Sequence, residues 1–217
     1  FPYNTLKVHA KAKRFIELNS PQQVLPTGEP LLFLGEGANI LFSKDFEGTV
    51  AKINFSGIKV VSETDSDVLV EVAAGQNWHE LITWSVEHNL SGLENMALIP
   101  GTVGAAAVGN IAAYGQNQED VFESLTVLDI TTNKSIKFSK SDCQFAYRES
   151  FFKKNSDSGS LLFVFDCRRL VSGWHTTDDV GTRPHQIFQN SLTIGQHRLF
   201  GGHQTILVQF VLLAYFL

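Results

Sequence analysis

The stretch GLENMALIPGTVGAAAVGNIAAYG, residues 92–115, holds five glycines and six alanines among 24 positions and a single charged side chain, Glu94. A segment so bare cannot cover itself with side chains, so its backbone must lie directly against something else. Glycine and alanine let main chain approach main chain or a flat ligand, and glycine alone takes positive φ without cost. Two uses follow. One is a tight turn packed into a core. The other is a cradle in which main-chain N–H groups face a phosphate while small residues leave room for a ring. Composition serves both, and the rest of the chain has to decide.

The 217 residues, 43% of them apolar, suffice for a real core and for one large domain or two small ones. A net charge of −5 with no run of basic residues lacks the footprint of a nucleic-acid or membrane-surface binder. No signal-like stretch opens the chain, and the apolar-rich residues 206–217 are too few to cross a bilayer. Cys143 and Cys167 lie far apart without CxxC spacing, which argues against a disulfide framework and a structural metal. The expectation is a cytoplasmic protein with no metal, no nucleic-acid partner, no membrane insertion and no obligate protein partner. Its start at Phe1, with Met96 the one methionine, implies a natural start upstream.

Along the chain, KAKRFIELNSP reads as a strand leading to Ser20, which would cap a short helix with Pro21 in its first position. PLLFLGEGANILF reads as strand, tight turn and strand, with residues 35–39 as a turn whose successive N–H groups form an anion-binding nest. GTVAKINFSGIKVV and DVLVEVAAG read as two further strands. NWHELITWSVEHN is a helix: Asn77 caps it, Glu80 stands where a capping box wants its acid, and Trp78, Leu81, Ile82 and Ser85 share one face. His79 and His88 fall on its solvated side. SLTVLDI and SIKFS pair across the turn TTNK. Ser141 then stands as a cap in SDCQFAYRESFFKK, and SLLFVFDCRRL is a last strand.

Beyond about Arg169 the composition changes. Lys ends at Lys154 and Glu at Glu149, while four of the seven histidines, His175, His185, His197 and His203, fall in the last 43 residues. Their spacing is irregular and no paired carboxylate joins them, which disfavours a metal segment. The reading preferred is a tail that does not belong to the folded domain, such as translation past a frameshift, because local and global signals agree up to the break and conflict after it.

The usual nucleotide fingerprints fail. GEGANI has two glycines of GxGxxG but Ile40 in place of the third, and GKS, GKT, GxSxG and HExxH are absent. Two Gly-rich loops beside strands remain. They suit a large, flat, partly apolar cofactor with a pyrophosphate, its phosphates on residues 35–39 and its ring along residues 99–104. Flavin adenine dinucleotide, FAD, meets that description.

LGEGANILF, GLENMALIPGTVGAAAVGNIAAYG and FAYRESFFK together resemble the UDP-N-acetylenolpyruvoylglucosamine reductase (MurB) family, as do NTL at residues 4–6 and AGQNWHEL at residues 74–81. The resemblance covers residues 4–170 in the family's order. It implies an α+β fold, the FAD-binding region of the vanillyl-alcohol oxidase (PCMH) type. Residues 1–57 would be one subdomain and residues 58–170 a second, with residues 171–217 unassigned and the substrate domain missing. It implies that NADPH reduces the FAD, which then reduces the enolpyruvyl group of a UDP-sugar to UDP-N-acetylmuramate for peptidoglycan. Implied cofactor contacts are Gly35, Glu36, Gly37, Ala38, Asn39 and Ile40 in the first loop. In the second they are Asn95, Ile99, Pro100, Gly101, Thr102, Gly104, Ala105, Asn110, Ile111, Tyr114 and Gly115.

Arg148 matches the family's active-site arginine, and with Tyr147 it is the implied substrate contact. A guanidinium can hold the enolpyruvyl carboxylate bidentately and stabilise charge that develops as hydride arrives. By chemistry alone Arg148 reads more readily as a surface arginine beside Glu149, and the motif match reverses that preference. The sequence also departs from the family. Ala107 and Gly109 stand where many members have Pro and Gln, and Ala112 where Gly is frequent. The serine proton donor of a GSFFKNP-like segment and the C-terminal glutamate have no counterpart, and Ser150, Ser160 and Ser191 do not take that role. Such a chain is expected to bind flavin and turn over poorly, with a catalytically inactive FAD binder and a flavin oxidase of another substrate as alternatives.

Overall fold

The computed structural model describes residues 3–156 and 162–173. They lie in the compact unit Phe1–Gly173. Their strands form two main sheets of opposite character.

The first sheet is parallel. Strands β1 (Ala12–Leu18), β2 (Leu31–Leu34) and β3 (Phe46–Ile53) lie in the order β1-β3-β2. β3 is the middle strand, and Thr49, Val50 and Ala51 are completely buried, as a strand covered on both faces requires. The hydroxyl of Thr49 is the one polar side-chain group in that run, and it donates to Glu29 Oε1 at 2.5 Å. Lys13 at 3.2 Å and Arg14 at 3.5 Å also face the Glu29 carboxylate. The Thr49 hydrogen bond first, and then these cations, hold the carboxyl below its ordinary range.

The second sheet is antiparallel and begins with β4 (Ile58–Glu63) and β5 (Asp67–Ala73). In β5 the alternation read from the sequence appears directly, with Val68, Val70 and Val72 buried and their neighbours half-exposed. Helix α1 (Trp78–Glu87) follows, then the short β6 (Leu90–Ser91), helix α2 (Val103–Gly109), the two-residue strands β7 (Ala112–Ala113) and β8 (Gln116–Asn117), and β9 (Phe122–Asp129), β10 (Lys134–Ser139), α3 (Phe151–Lys154) and β11 (Leu162–Gly173). The strand order is β10-β9-β11-β5-β4, with β6 also on β11. The last strand among the described residues is therefore the middle strand of the sheet, and β9 and β5 meet only through it.

Helix α1 forms as its sequence dictates. Asn77 Oδ1 accepts from the Glu80 N–H at 3.0 Å, and Trp78, Leu81, Ile82, Ser85 and Val86 turn inward. The predicted capping box is only half made, because the Glu80 carboxylate accepts from Gln76 Nε2 at 2.9 Å. The predicted hairpin of β9 and β10 is present in full register, Asp129 facing Lys134.

Several expectations are corrected. No helix follows Ser20. Gln23 instead bridges the exit of β1, accepting from the Asn19 N–H at 3.0 Å and donating to Glu17 O at 2.9 Å, and prolines at 21, 26 and 30 leave no run long enough for a helix. No strand follows the turn at residues 35–39: β3 is paired on both sides, and Leu41 stays 58% exposed. GTVAKINFSGIKVV is two strands in two sheets, divided where Gln76 Oε1 takes the Gly57 N–H at 3.1 Å. The cap before the FFKK helix is Ser150, which accepts from the Lys153 N–H at 3.2 Å, and not Ser141, which lies in a turn closed by Ser139 and Asp142. His79 is half-buried, its Nδ1 accepting from the Leu98 N–H at 3.4 Å. β11 runs to Gly173, past the break read at residue 170, since Val171 and Ser172 still pair with Val68 and Asp67. The histidine-rich tail, with the other tail readings for residues 174–217, lies outside the described residues.

Candidate functional site

The bare stretch is not one loop. Its first part is a 3-10 turn (Glu94–Met96), its middle is α2, and its end is the hairpin of β7 and β8. Small residues allow α2 to lie against β5. The Gly104 N–H donates to Ala74 O at 2.9 Å, and a Cβ at Gly104 would come within 2.8 Å of the Ala74 Cβ. The packed-core reading of the composition holds for one face of α2, while the other carries Ala105, which is exposed.

The two Gly-rich segments meet. A Cβ added at Gly35 would lie 2.7 Å from Thr102 Oγ1 and 3.3 Å from the Ala105 Cβ. Glu36 fastens the junction. One carboxylate oxygen accepts from Asn77 Nδ2 and the other from the Gly101 N–H at 3.0 Å. The Gly101 carbonyl in turn accepts from the Trp78 N–H at 3.0 Å, so turn, loop and the start of α1 are one hydrogen-bonded unit. Both oxygens of the Glu36 carboxylate, a group expected from the sequence at the cofactor, thus accept from protein N–H groups. Replacing Glu36 by glutamine puts an amide NH2 opposite one of two N–H donors, which we expect to weaken FAD binding about tenfold, the cost of one unsatisfied half-buried donor. Tighter binding in Glu36→Gln, measured by flavin fluorescence, would mean that charge repulsion outweighs this support.

Thr102 caps α2, and its Oγ1 is buried with no hydrogen-bond partner among the described residues. A buried hydroxyl without a partner costs about 1–3 kcal/mol. A Cβ at Gly35 would press on that hydroxyl, so only a glycine leaves it uncovered for the polar group of a ligand to meet. The residues present thus fit a phosphate-bearing cofactor at this end of α2.

The other end of α2 carries the predicted substrate residues. Asn110 caps it in the left-handed conformation, φ 41° and ψ 62°, and is 2% exposed. Its Nδ2 donates to Ala146 O at 2.8 Å, and its Oδ1 accepts from Gln118 Nε2 at 3.2 Å. Ala146 and Glu149 exchange both backbone hydrogen bonds, closing a turn with Tyr147 and Arg148 at its tip. On the far side of that turn Ser150 Oγ donates to Val108 O at 2.7 Å, and Lys153 Nζ donates to Arg148 O at 2.8 Å. Arg148, at φ 57°, is therefore displayed on a turn anchored from both sides to the end of α2. Tyr147 is 84% exposed.

The remaining predicted residues divide by placement. Ala38, Asn39 and Ile40 continue the first turn, and Pro100 is exposed beside Gly101. Gly37, Ile99, Gly104, Asn110 and Ile111 are buried and act on any ligand through backbone and packing. Tyr114 and Gly115 form the tip of the β7–β8 hairpin, both at positive φ, and Asn95 holds the Tyr114 carbonyl through Nδ2 at 3.4 Å. From the sequence Asn77 is a cap and Ser150 has no assigned role. Their cross-links to Glu36 and Val108 are tertiary contacts that no local pattern signals. Among the described residues no group of three or more His, Cys, Asp or Glu side chains is arranged to hold a metal.

The family model described as FAD binding domain matches residues 23–138. The chain belongs to the FAD binding domain family. Curated proteins it is similar to include UDP-N-acetylenolpyruvoylglucosamine reductases. The enzyme of Neisseria gonorrhoeae is 43% identical over 160 residues, 70% of this chain and 46% of the relative. That of Shewanella baltica is 52% identical over 145 residues, 67% of this chain and 42% of the relative. The chain thus spans about half the length of the curated relatives it matches. The structure of the Thermus caldophilus reductase superposes with a TM-score of 0.59 at 19% identity, covering 79% of this chain and 57% of that one, and this likeness shows the shared α+β fold.

Proposed function

We propose that this chain is the FAD-holding part of a reductase that converts the enolpyruvyl ether of UDP-N-acetylglucosamine into UDP-N-acetylmuramate at the expense of NADPH. The observation that carries the reading is the spacing along α2. Seven helical residues span about 10 Å, with the Gly35, Glu36 and Thr102 junction at one end and the Tyr147–Arg148 turn at the other. An extended dinucleotide with phosphates at the first end would carry its ring toward the second.

FAD would supply the redox chemistry, taking hydride from NADPH and delivering it to the enolpyruvyl double bond. The chain's own part is to hold and orient. Residues 35–40 and 99–105 would line the dinucleotide, with Asn95, Tyr114 and Gly115 at the hairpin side. The Arg148 guanidinium would pair with the enolpyruvyl carboxylate and stabilise charge spreading onto it, Tyr147 standing beside it on the turn. Ser150 is committed to Val108 O and the Lys153 N–H and is not the proton donor. The two sheets would correspond to two FAD-binding subdomains, residues 1–57 and 58–170. Among the described residues no helix is long and apolar enough to cross a membrane, and a cytoplasmic location suits a nucleotide-sugar substrate.

The test is Arg148→Ala in the FAD-loaded chain, followed by flavin absorbance after mixing with NADPH and then with the UDP-sugar. FAD affinity should stay within about twofold while substrate-dependent recovery of the absorbance slows about hundredfold, as for loss of one charge-stabilising group. Equal recovery in parent and variant would remove Arg148 from the reaction. No recovery in the parent would favour a flavin binder without catalysis.

A further inference from the structure

We propose that Thr5 is a positioning residue that sets the polarity of the phosphate-facing turn. The proposal rests on the FAD reading above and assigns a role to the segment Asn4-Thr5, to which that reading gives none.

The segment is built to stay in place. Asn4 is 4% exposed, and its side chain closes a loop on Val8, Oδ1 accepting from the Val8 N–H at 2.9 Å and Nδ2 donating to Val8 O at 3.1 Å. Tyr3 stacks on Phe15 of β1 with ring centroids 4.4 Å apart, and Lys52 Nζ of β3 lies 5.5 Å from the Tyr3 ring. The strap therefore rests on the parallel sheet next to the exit of β2.

From there it grips the turn twice. The Thr5 N–H donates to Gly37 O at 3.2 Å, and Thr5 Oγ1 donates to Ala38 O at 3.2 Å. The fit is close, for a Cβ at Gly37 would collide with the Tyr3 carbonyl oxygen. A trans peptide is planar with its C=O and N–H on opposite sides. Two consecutive carbonyls turned toward Thr5 therefore turn two consecutive N–H groups, those of Ala38 and Asn39, away from it. No hydrogen bond among the described residues uses either N–H. Successive N–H groups presented on one side are what an anion-binding nest requires. The sequence offers the glycines for such a turn, and Thr5 decides which way its donors point.

The experiment titrates FAD into the parent chain, Thr5→Val and Thr5→Ser, with inorganic pyrophosphate as a competitor. Valine keeps the shape and loses the hydroxyl. The expected result is FAD and pyrophosphate each bound about fivefold more weakly by Thr5→Val, the worth of one hydrogen bond, and parent-like binding of both by Thr5→Ser. A merely structural Thr5 would lower the unfolding midpoint without changing pyrophosphate affinity, and that result would overturn the proposal, as would unchanged FAD affinity in Thr5→Val. A parent chain that binds pyrophosphate but not FAD overturns the FAD reading and leaves the nest. One that binds neither overturns both.

Discussion

Trp78→Ala is expected to destabilise the chain by about 3–5 kcal/mol, the largest stability loss of any single truncation here. The indole is completely buried at the first position of α1, and its Nε1 donates to Met96 O at 3.1 Å. Truncation empties a large cavity and strands the Met96 carbonyl. It also loosens the 3-10 turn from which residues 97–102 reach Glu36. Urea unfolding of the flavin-free chain measures the effect. A loss below about 1 kcal/mol would mean that the core collapses around the gap.

Gly37→Val should have the largest effect on the cofactor, weakening FAD binding about hundredfold or more. Gly37 sits at φ 65°, and a side chain there meets the Tyr3 carbonyl and the Asn4 Cα. Left-handed backbone costs a non-glycine residue about 1–2 kcal/mol, and displacing the strap forfeits two hydrogen bonds of about 1 kcal/mol each. Together these reach roughly 3 kcal/mol, close to two decades in affinity. Flavin fluorescence at equilibrium checks it, and binding within threefold of the parent would place the turn outside the cofactor site.

What the sequence made legible follows from how local each signal is. Asn77 and the face of Trp78, Leu81 and Ile82 specify α1 within one stretch of chain, and the structure has that helix. The β9–β10 hairpin is equally local. The misreadings fall where tertiary partners decide. Ser20 and Pro21 carry a helix-start pattern, but Gln23 turns back onto β1. GTVAKINFSGIKVV has strand chemistry throughout, yet Gln76, nineteen residues beyond Gly57, divides it. The site shows the same division. Motifs single out Gly35, Gly37, Gly101, Thr102 and Arg148 as candidates, because bare backbone and a matched arginine are visible in one dimension. The Glu36 bridge to Asn77 and Gly101, and the grip of Thr5 on Gly37 and Ala38, join residues dozens of positions apart and have no local pattern.

The most direct test of the account is titration of the purified chain with FAD, read by quenching of flavin fluorescence. The account predicts saturable quenching at one FAD per chain and a yellow protein after removal of free flavin. A colourless protein with no quenching would contradict it.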